Sequence, residues 1–272
     1  MLRTNQPDTT VTRFLRSYTA FAADFIDTLF SPFREFGDII IFFWNTLRRF
    51  TGIPRSWRLI FDSMLEIGFR SIPIVFVIAV FAGATTAWQA NYQLEEYVSM
   101  RYLGTAVSKS IILELGPVLT GLVVAGRIGA SIAASLGAMR VTEQIDALAA
   151  MAIDPMRYLV LPRVTAAMIM VPVLTIYACF FGIVGGMYIS MFFLGISKGI
   201  FIFGLRHYFY ISDVMVSLIK SLVFGTGLSV LGCYYGFNAA GGADGVGKAA
   251  IKAYVSSAVF ILLSDFMVAS LA

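Results

Sequence analysis

Four charged side chains, Glu114, Arg127, Lys220 and Asp265, stand in stretches that are otherwise apolar. A charge in hydrocarbon costs at least about 2.5–3.5 kcal/mol on insertion scales, so each needs a partner, a wet cavity or a polar ligand. Such a set can act as a charge relay or as the polar rim of a cavity. Arg127 is the most demanding, because it sits in the middle of ELGPVLTGLVVAGRIGASIAASLGAMR. Glu114 lies thirteen residues earlier, about 20 Å along a helix axis, so the two cannot pair within one straight helix. Lys220 and Asp265 are the other candidate partners, and Lys220 can also snorkel. Structural pairing and contact with cargo would both satisfy Arg127.

A second chemical signal is GGADGVGKA at residues 241–249. Gly242, Gly247 and Lys248 fit the phosphate-loop pattern, but Ala249 stands where a Ser or Thr would hold magnesium. Such a loop also needs a strand before it and a soluble domain around it, and neither is evident. Glycines adopting positive φ in a tight turn are the preferred reading.

Catalytic sets are absent from the sequence. His207 is the sole histidine, in the aromatic stretch GLRHYFYIS. Cys179 and Cys233 both lie in apolar runs and fit neither metal spacing nor a disulfide framework. No metal site and no catalytic residue is expected.

The third signal is RVTEQIDALAAMAIDP. Val141, Ile145, Leu148 and Ala152 follow helical spacing, with Glu143 and Asp146 on another face. Asp154-Pro155 suits an N-cap followed by Pro at the first helical position. An acidic amphipathic helix is a poor match for an anionic inner leaflet, so a protein partner is its expected neighbour.

The elements that position these residues follow from composition. Of 272 residues, 58% are hydrophobic and only 13% charged, about half the usual charge, and the mean hydropathy is +0.82. This excludes an ordinary water-soluble domain and specifies an all-α integral membrane protein. Spans are expected near Ile72–Ala90, Ser110–Ala138, Val164–Leu194, Val214–Gly236 and Ile251–Leu271, since spanning takes about 20 apolar residues. The third is long enough to tilt, or to bend near Gly182, Gly185 and Gly186. Residues 1–70 are expected to form a cytosolic N-terminal segment, and 71–272 the membrane domain. GDIIIFFWNTLRRF, from Gly37 to Phe50, is too short to span and suits an amphipathic helix in the interface, with a re-entrant segment as the alternative. No cleavable signal segment is evident.

Counting Lys and Arg orients the chain. With the N-terminus inside, fourteen fall on the cytosolic side and four outside, which puts the C-terminus out and GGADGVGKA in a cytosolic turn. Outer segments 91–109 and 195–212 are expected as short loops, so cargo must come from the bilayer or another protein. In the second span, Gly121, Ala125, Gly129, Ala133 and Gly137 recur every fourth residue. In lipid such a stripe lets helices approach closely, placing this span inside the bundle or at a subunit interface.

Specific motifs resemble the MlaE (YrbE) family of permeases: Glu114-Leu-Gly-Pro117, Ala125-Gly-Arg-Ile-Gly129, Met139-Arg-Val-Thr-Glu-Gln-Ile-Asp-Ala-Leu148, Asp154-Pro155 and Leu161-Pro-Arg163. Ile219-Lys-Ser221, GGADGVGKA and Ser264-Asp-Phe266 fit the same family, and the resemblance covers about residues 60–272. It implies the permease subunit of an ABC lipid transporter in the bacterial inner membrane, with no catalysis of its own. It further implies a homodimer, two copies of a separate ATPase that carries ATP and Mg2+, a hexameric periplasmic MCE-domain protein and a small cytosolic STAS-domain subunit. No nucleic-acid partner is implied. Family members move phospholipids or other hydrophobic molecules in outer-membrane lipid homeostasis or lipid uptake. The implied coupling helix falls on about 140–152, with Glu143, Gln144, Asp146 and Leu148 facing the ATPase, and Glu114 is expected at the lipid cavity's polar rim. Two departures stand out: Leu113 where many relatives carry Arg, and Ser135 where many carry Glu. Both bear on headgroup preference.

A rival reading is a secondary transporter or channel driven by an ion gradient, with Glu114, Arg127, Lys220 and Asp265 as its relay. No inverted-repeat pattern supports it. An intramembrane lipid enzyme lacks a nucleophile–base pair.

Overall fold

In the computed structural model the described residues are 34–49, 57–94 and 99–271; expectations for the polar N-terminus before residue 34 and for Phe50 and Arg55 lie outside them. Two compact units divide at Asn45 and Thr46. A helix over 34–48, α1, crosses that boundary, and it occupies the stretch expected to lie in the interface.

Among the described residues every regular element is helical. The order is α2 (Trp57–Ile67), α3 (Ile72–Leu94), α4 (Leu103–Ser110), α5 (Gly116–Val124), α6 (Ala130–Val141), α7 (Gln144–Ala150), α8 (Leu161–Phe192), α9 (Lys198–His207), α10 (Ile211–Phe237) and α11 (Gly242–Leu271). Among the described residues five stretches are long and apolar enough to cross a membrane: Trp57–Leu94, Met100–Val141, Met156–Phe192, Ile211–Phe237 and Gly242–Leu271. All exceed the roughly 20 residues that hydrocarbon requires, so their ends reach into the interfaces. The first begins before Ile72, because α2 runs through the 3-10 turn Phe69–Ser71 into α3. The proposed boundary at residue 70 thus falls on that turn.

Apolar side chains such as Phe81, Phe180, Leu263 and Phe266 point outward, as expected where lipid is the solvent. Buried hydroxyls are returned to their own helices. Ser71, Thr165, Thr175, Ser190 and Ser257 each donate to the carbonyl four residues earlier. Where no water can serve, that satisfies the polar atom locally.

Close backbone approach organises the packing. A Cβ on Gly83 of α3 would come 1.8 Å from the Gly182 carbonyl oxygen, and one on Gly185 would come 2.5 Å from that of Val80. The third span is expected to tilt, or to bend at the glycines near 182–186. These glycines lie within one unbroken α8, where α3 rests against them. α10 runs through the centre, and Gly225 and Gly232 meet carbonyls of α8 and the second span in the same way.

The two segments expected as outer loops are largely helical. Leu103 and Val107 of α4 are fully buried against Phe201 of α9, and Thr105 Oγ1 donates to Gly204 O at 2.6 Å. The second span therefore starts at Met100 rather than Ser110. A mutual apolar contact between two segments that are each mixed in sequence overrides their loop-like composition.

Candidate functional site

After the 3-10 turn Met100–Tyr102 that opens it, the second span is α-helical except for two five-residue π segments, Ile111–Leu115 and Ala125–Gly129. Each carries one of the charged residues singled out above, Glu114 and Arg127. π segments recur at functional sites because they interrupt the regular ladder and re-aim side chains.

The first has an identifiable cause in Pro117. Proline has no N–H, so the carbonyl four residues earlier, Leu113, loses its helical donor. Lys220 of α10 supplies one: its Nζ donates to Leu113 O at 3.0 Å and to Glu114 Oε1 at 2.8 Å. It also lies 2.8 Å from Asp265 Oδ1 of α11. An ammonium has three donors, and here three oxygens from the second and fifth spans surround it. The Lys220 side chain is 1% exposed, whereas that of Glu114 is 49% exposed. Glu114 thus offers a half-open carboxylate while its partner is sealed. Nearer the α9 end, Lys109 pairs with Asp213 at 3.2 Å and lies over the Tyr210 ring.

Arg127 does not join this group. Its Nη1 donates to Ser71 Oγ at 2.5 Å, and Ser71 Oγ donates onward to Ile67 O at 2.6 Å. Lys220 and Asp265, considered as its partners, are bound to each other, and Lys220 also to Glu114. Ser71 was not anticipated; it lies at the α2–α3 turn, and only the packing of the first span on the second reveals the match.

The small-residue stripe faces inward. Gly121, Ala125, Gly129, Ala133 and Gly137 are all buried. A Cβ added at Gly121 would meet Phe224 of α10 at 3.1 Å, and one at Gly137 would meet Ala239 at 3.1 Å. The stripe is thus filled within one chain by α10, α11 and the turn joining them. On another side of the same span, a small, mainly apolar cleft opens between α3, α5 and α8. Thr120 borders it with a buried hydroxyl that has no hydrogen-bond partner.

At the end of the second span lies α7, shorter than the expected 140–152. Glu143 is left-handed, φ 60°, and ends the continuity with α6; Ala152, φ 56°, closes the far side. Of the expected apolar stripe, Ile145 is buried and Leu148 half-buried, while Val141 and Ala152 are exposed outside the helix. Glu143, Gln144, Asp146 and Met151 are exposed, and Arg140 ties back to Asp146 at 2.5 Å. Asp154 caps the next helix as expected, accepting the Met156 amide at 3.0 Å. It also accepts from Arg49 Nε at 2.7 Å, a partner with no sequence signal. Burial raises its pKa, but the hydrogen bonds and charge of Arg49 and the Met156 amide outweigh this, and the net shift is downward.

GGADGVGKA is a turn only at its start. Gly241 and Gly242 have positive φ, 91° and 69°; from Gly242 onward the chain is α11. Lys248 pairs with Asp244 one turn earlier at 2.6 Å. The stretch forms the first turns of a helix rather than a cradle of loop amides. His207 stacks on Phe203. Among the described residues no group of three or more His, Cys, Asp or Glu could hold a metal.

A bundle of five membrane-length helices with an exposed acidic helix at one end and a half-open ion cluster inside defines a multi-pass membrane protein of the transporter type. The Permease MlaE family model matches residues 60–271, and the chain belongs to that family. It is 38% identical over 235 residues to a probable ABC transporter permease protein of Rickettsia felis, covering 86% of this chain and 91% of that one. It is 40% identical over 205 residues to a probable ABC transporter permease protein of Synechocystis, covering 75% and 78%. It is also 28% identical over 240 residues to the intermembrane phospholipid transport system permease protein MlaE of Haemophilus influenzae, covering 88% and 92%. Membership makes the chain a membrane permease subunit of the ABC class.

Proposed function

We propose that this chain is the membrane half of an ATP-driven phospholipid transporter, working as a homodimer with two copies of a separate ATPase. A periplasmic MCE-domain protein receives or delivers the lipid, and a small STAS-domain subunit completes the cytosolic side. The chain sits in a bacterial inner membrane with α7 in the cytosol and α9 toward the periplasm, the orientation that its fourteen-to-four distribution of basic residues favours. ATP and Mg2+ bind the partner chain.

One observation carries this reading. α7 is exposed and acidic, and it follows directly on the span that bears Arg127 and Glu114. Motion imposed on α7 by an ATPase reaches the second span without an intervening domain, and so reaches the half-open Glu114 carboxylate beside Lys220. That carboxylate forms the polar rim at which a headgroup is held.

The test is co-purification in gentle detergent, followed by ATP hydrolysis in vesicles. The expected result is an ATPase retained with the wild-type chain and lost from Glu143→Lys/Asp146→Lys. Transport that persists with no ATPase present and collapses with the ion gradient would instead support the secondary-transporter reading. Lys220 between two carboxylates is the feature that favours that alternative.

A further inference from the structure

A second polar site lies near the α7 end of the bundle, far along the helices from Glu114. An open surface cleft between α2, α6 and α8 is lined by Ser63, Glu66, Ser131, Ser135 and Arg163 over three isoleucines.

Ser63 returns its hydroxyl to Leu59 O at 2.8 Å; the other polar groups are freer. Arg163 spends one N–H on its own helix, donating to Leu159 O at 2.7 Å, and meets no carboxylate within ion-pair distance among the described residues. Glu66 has neither a hydrogen bond nor an ion pair among the described residues. Opposite charges thus line one cleft without meeting. Ser131 and Ser135, one turn apart on α6, are exposed and make none of the carbonyl back-bonds that Ser71, Thr165 and Ser257 make. Four residues from Ser131, about 6 Å along the axis, Arg127 meets Ser71, so the polar seam continues toward mid-membrane. α2 also carries exposed Trp57, Phe61 and Leu65, the apolar edge expected of a helix at the bilayer boundary.

We propose that this cleft binds the headgroup of a zwitterionic phospholipid carrying a primary ammonium, entering from the leaflet on the α7 side. The phosphodiester accepts from the Arg163 guanidinium and the two serine hydroxyls, charge-assisted bonds of the stronger kind. The ammonium pairs with Glu66. A purely anionic headgroup would gain Arg163 but face the Glu66 carboxylate, so the cleft discriminates by charge pattern. The inference rests on the lipid-transport reading, but on none of the residues around Lys220.

The experiment uses the full chain in its native complex, reconstituted in vesicles of equal parts phosphatidylethanolamine and phosphatidylglycerol. One of the two carries a photoreactive diazirine near the glycerol, and labelled peptides are mapped by mass spectrometry. Expected is labelling of 63–66 and 131–135 by the ethanolamine lipid, falling roughly tenfold in Arg163→Gln, as for loss of one charge-assisted contact. Glu66→Gln should shift the preference toward the glycerol lipid. Ser131→Ala/Ser135→Ala, which keeps every charge and removes only exposed hydroxyls, guards against a folding defect and should also lower labelling. Equal labelling by both lipids in the wild type, or a ratio unmoved by Glu66→Gln, overturns the proposal. Labelling confined to the Glu114 region overturns it while leaving the permease reading intact; no labelling anywhere in the chain sinks both. A soluble competitor, glycerophosphoethanolamine, should displace little; displacement at equal concentration would assign the cleft to a soluble diester and overturn the lipid.

Discussion

The ammonium of Lys220 lies 3.0 Å from the carbonyl oxygen of Leu113, the oxygen that Pro117 leaves without a helical donor. A buried cation thereby answers a backbone defect and two carboxylates together. Removing one partner of a buried ion pair costs about 3–5 kcal/mol, because the remaining charges stay buried and unpaired. Lys220→Met should therefore lower thermal stability in detergent sharply, and Glu114→Gln/Asp265→Asn in the same background should recover part of the loss. If Lys220→Met melts like the wild type, the cluster contributes nothing to the fold.

Glu114→Gln alone separates stability from transport. Its carboxylate is half-open, so an isosteric amide keeps the shape while removing the charge. Assembly with the ATPase is expected to survive and lipid movement in vesicles to fall. Undiminished transport would remove Glu114 from the cargo path.

Two glycines should respond in opposite ways. A Cβ on Gly83 would overlap the Gly182 carbonyl at 1.8 Å, whereas one on Gly129 would sit 3.7 Å from its nearest neighbours. Gly83→Ala should destabilise by about 1–3 kcal/mol, the usual cost of overpacking. Gly129→Ala should be close to neutral. Thermal unfolding of the two variants side by side decides.

Acid should loosen the link between Arg49 and Asp154. The folded pKa of Asp154 lies below its ordinary 3.8, so the link contributes stability above that pH and loses it as pH falls through the depressed folded value. The thermal midpoint of the wild type should drop on acidification below about pH 4 more steeply than that of Asp154→Asn, which has no such proton to gain. Parallel profiles would show that the contact carries no stability.

Glu143 holds a left-handed backbone, φ 60°, which costs a non-glycine residue roughly 1 kcal/mol. Glu143→Gly should raise stability slightly and Glu143→Ala should not, while both weaken ATPase retention because both delete the carboxylate. Retention unchanged in both variants would take Glu143 out of the docking face.

The fold class was legible because hydropathy and length are properties of a single stretch of chain. A segment of about 20 apolar residues has to span wherever its neighbours lie, and all five expected spans are helices. Local chemistry was legible too: Asp154-Pro155 is a cap within three residues of chain, and the Gly121–Gly137 repeat is a face of one helix. The misread segments share one trait, a dependence on distant residues. α4 and α9 look like loops until Phe201 meets Leu103. The glycines at 182–186 leave a bend open as one alternative until α3 rests against them in an unbroken α8.

Pairing of the intramembrane charges was beyond the sequence for the same reason. Glu114, Arg127, Lys220 and Asp265 could each be named as needing a partner, since the cost of an isolated charge in lipid is independent of topology. Which of them meet depends on the rotation of the second, fourth and fifth helices about their own axes. Small-residue contacts between those helices set that rotation, and they bring Lys220 to Glu114 and Asp265 while turning Arg127 toward Ser71. The demand for a partner was written in the sequence, and only the packed bundle decided which partner each charge received.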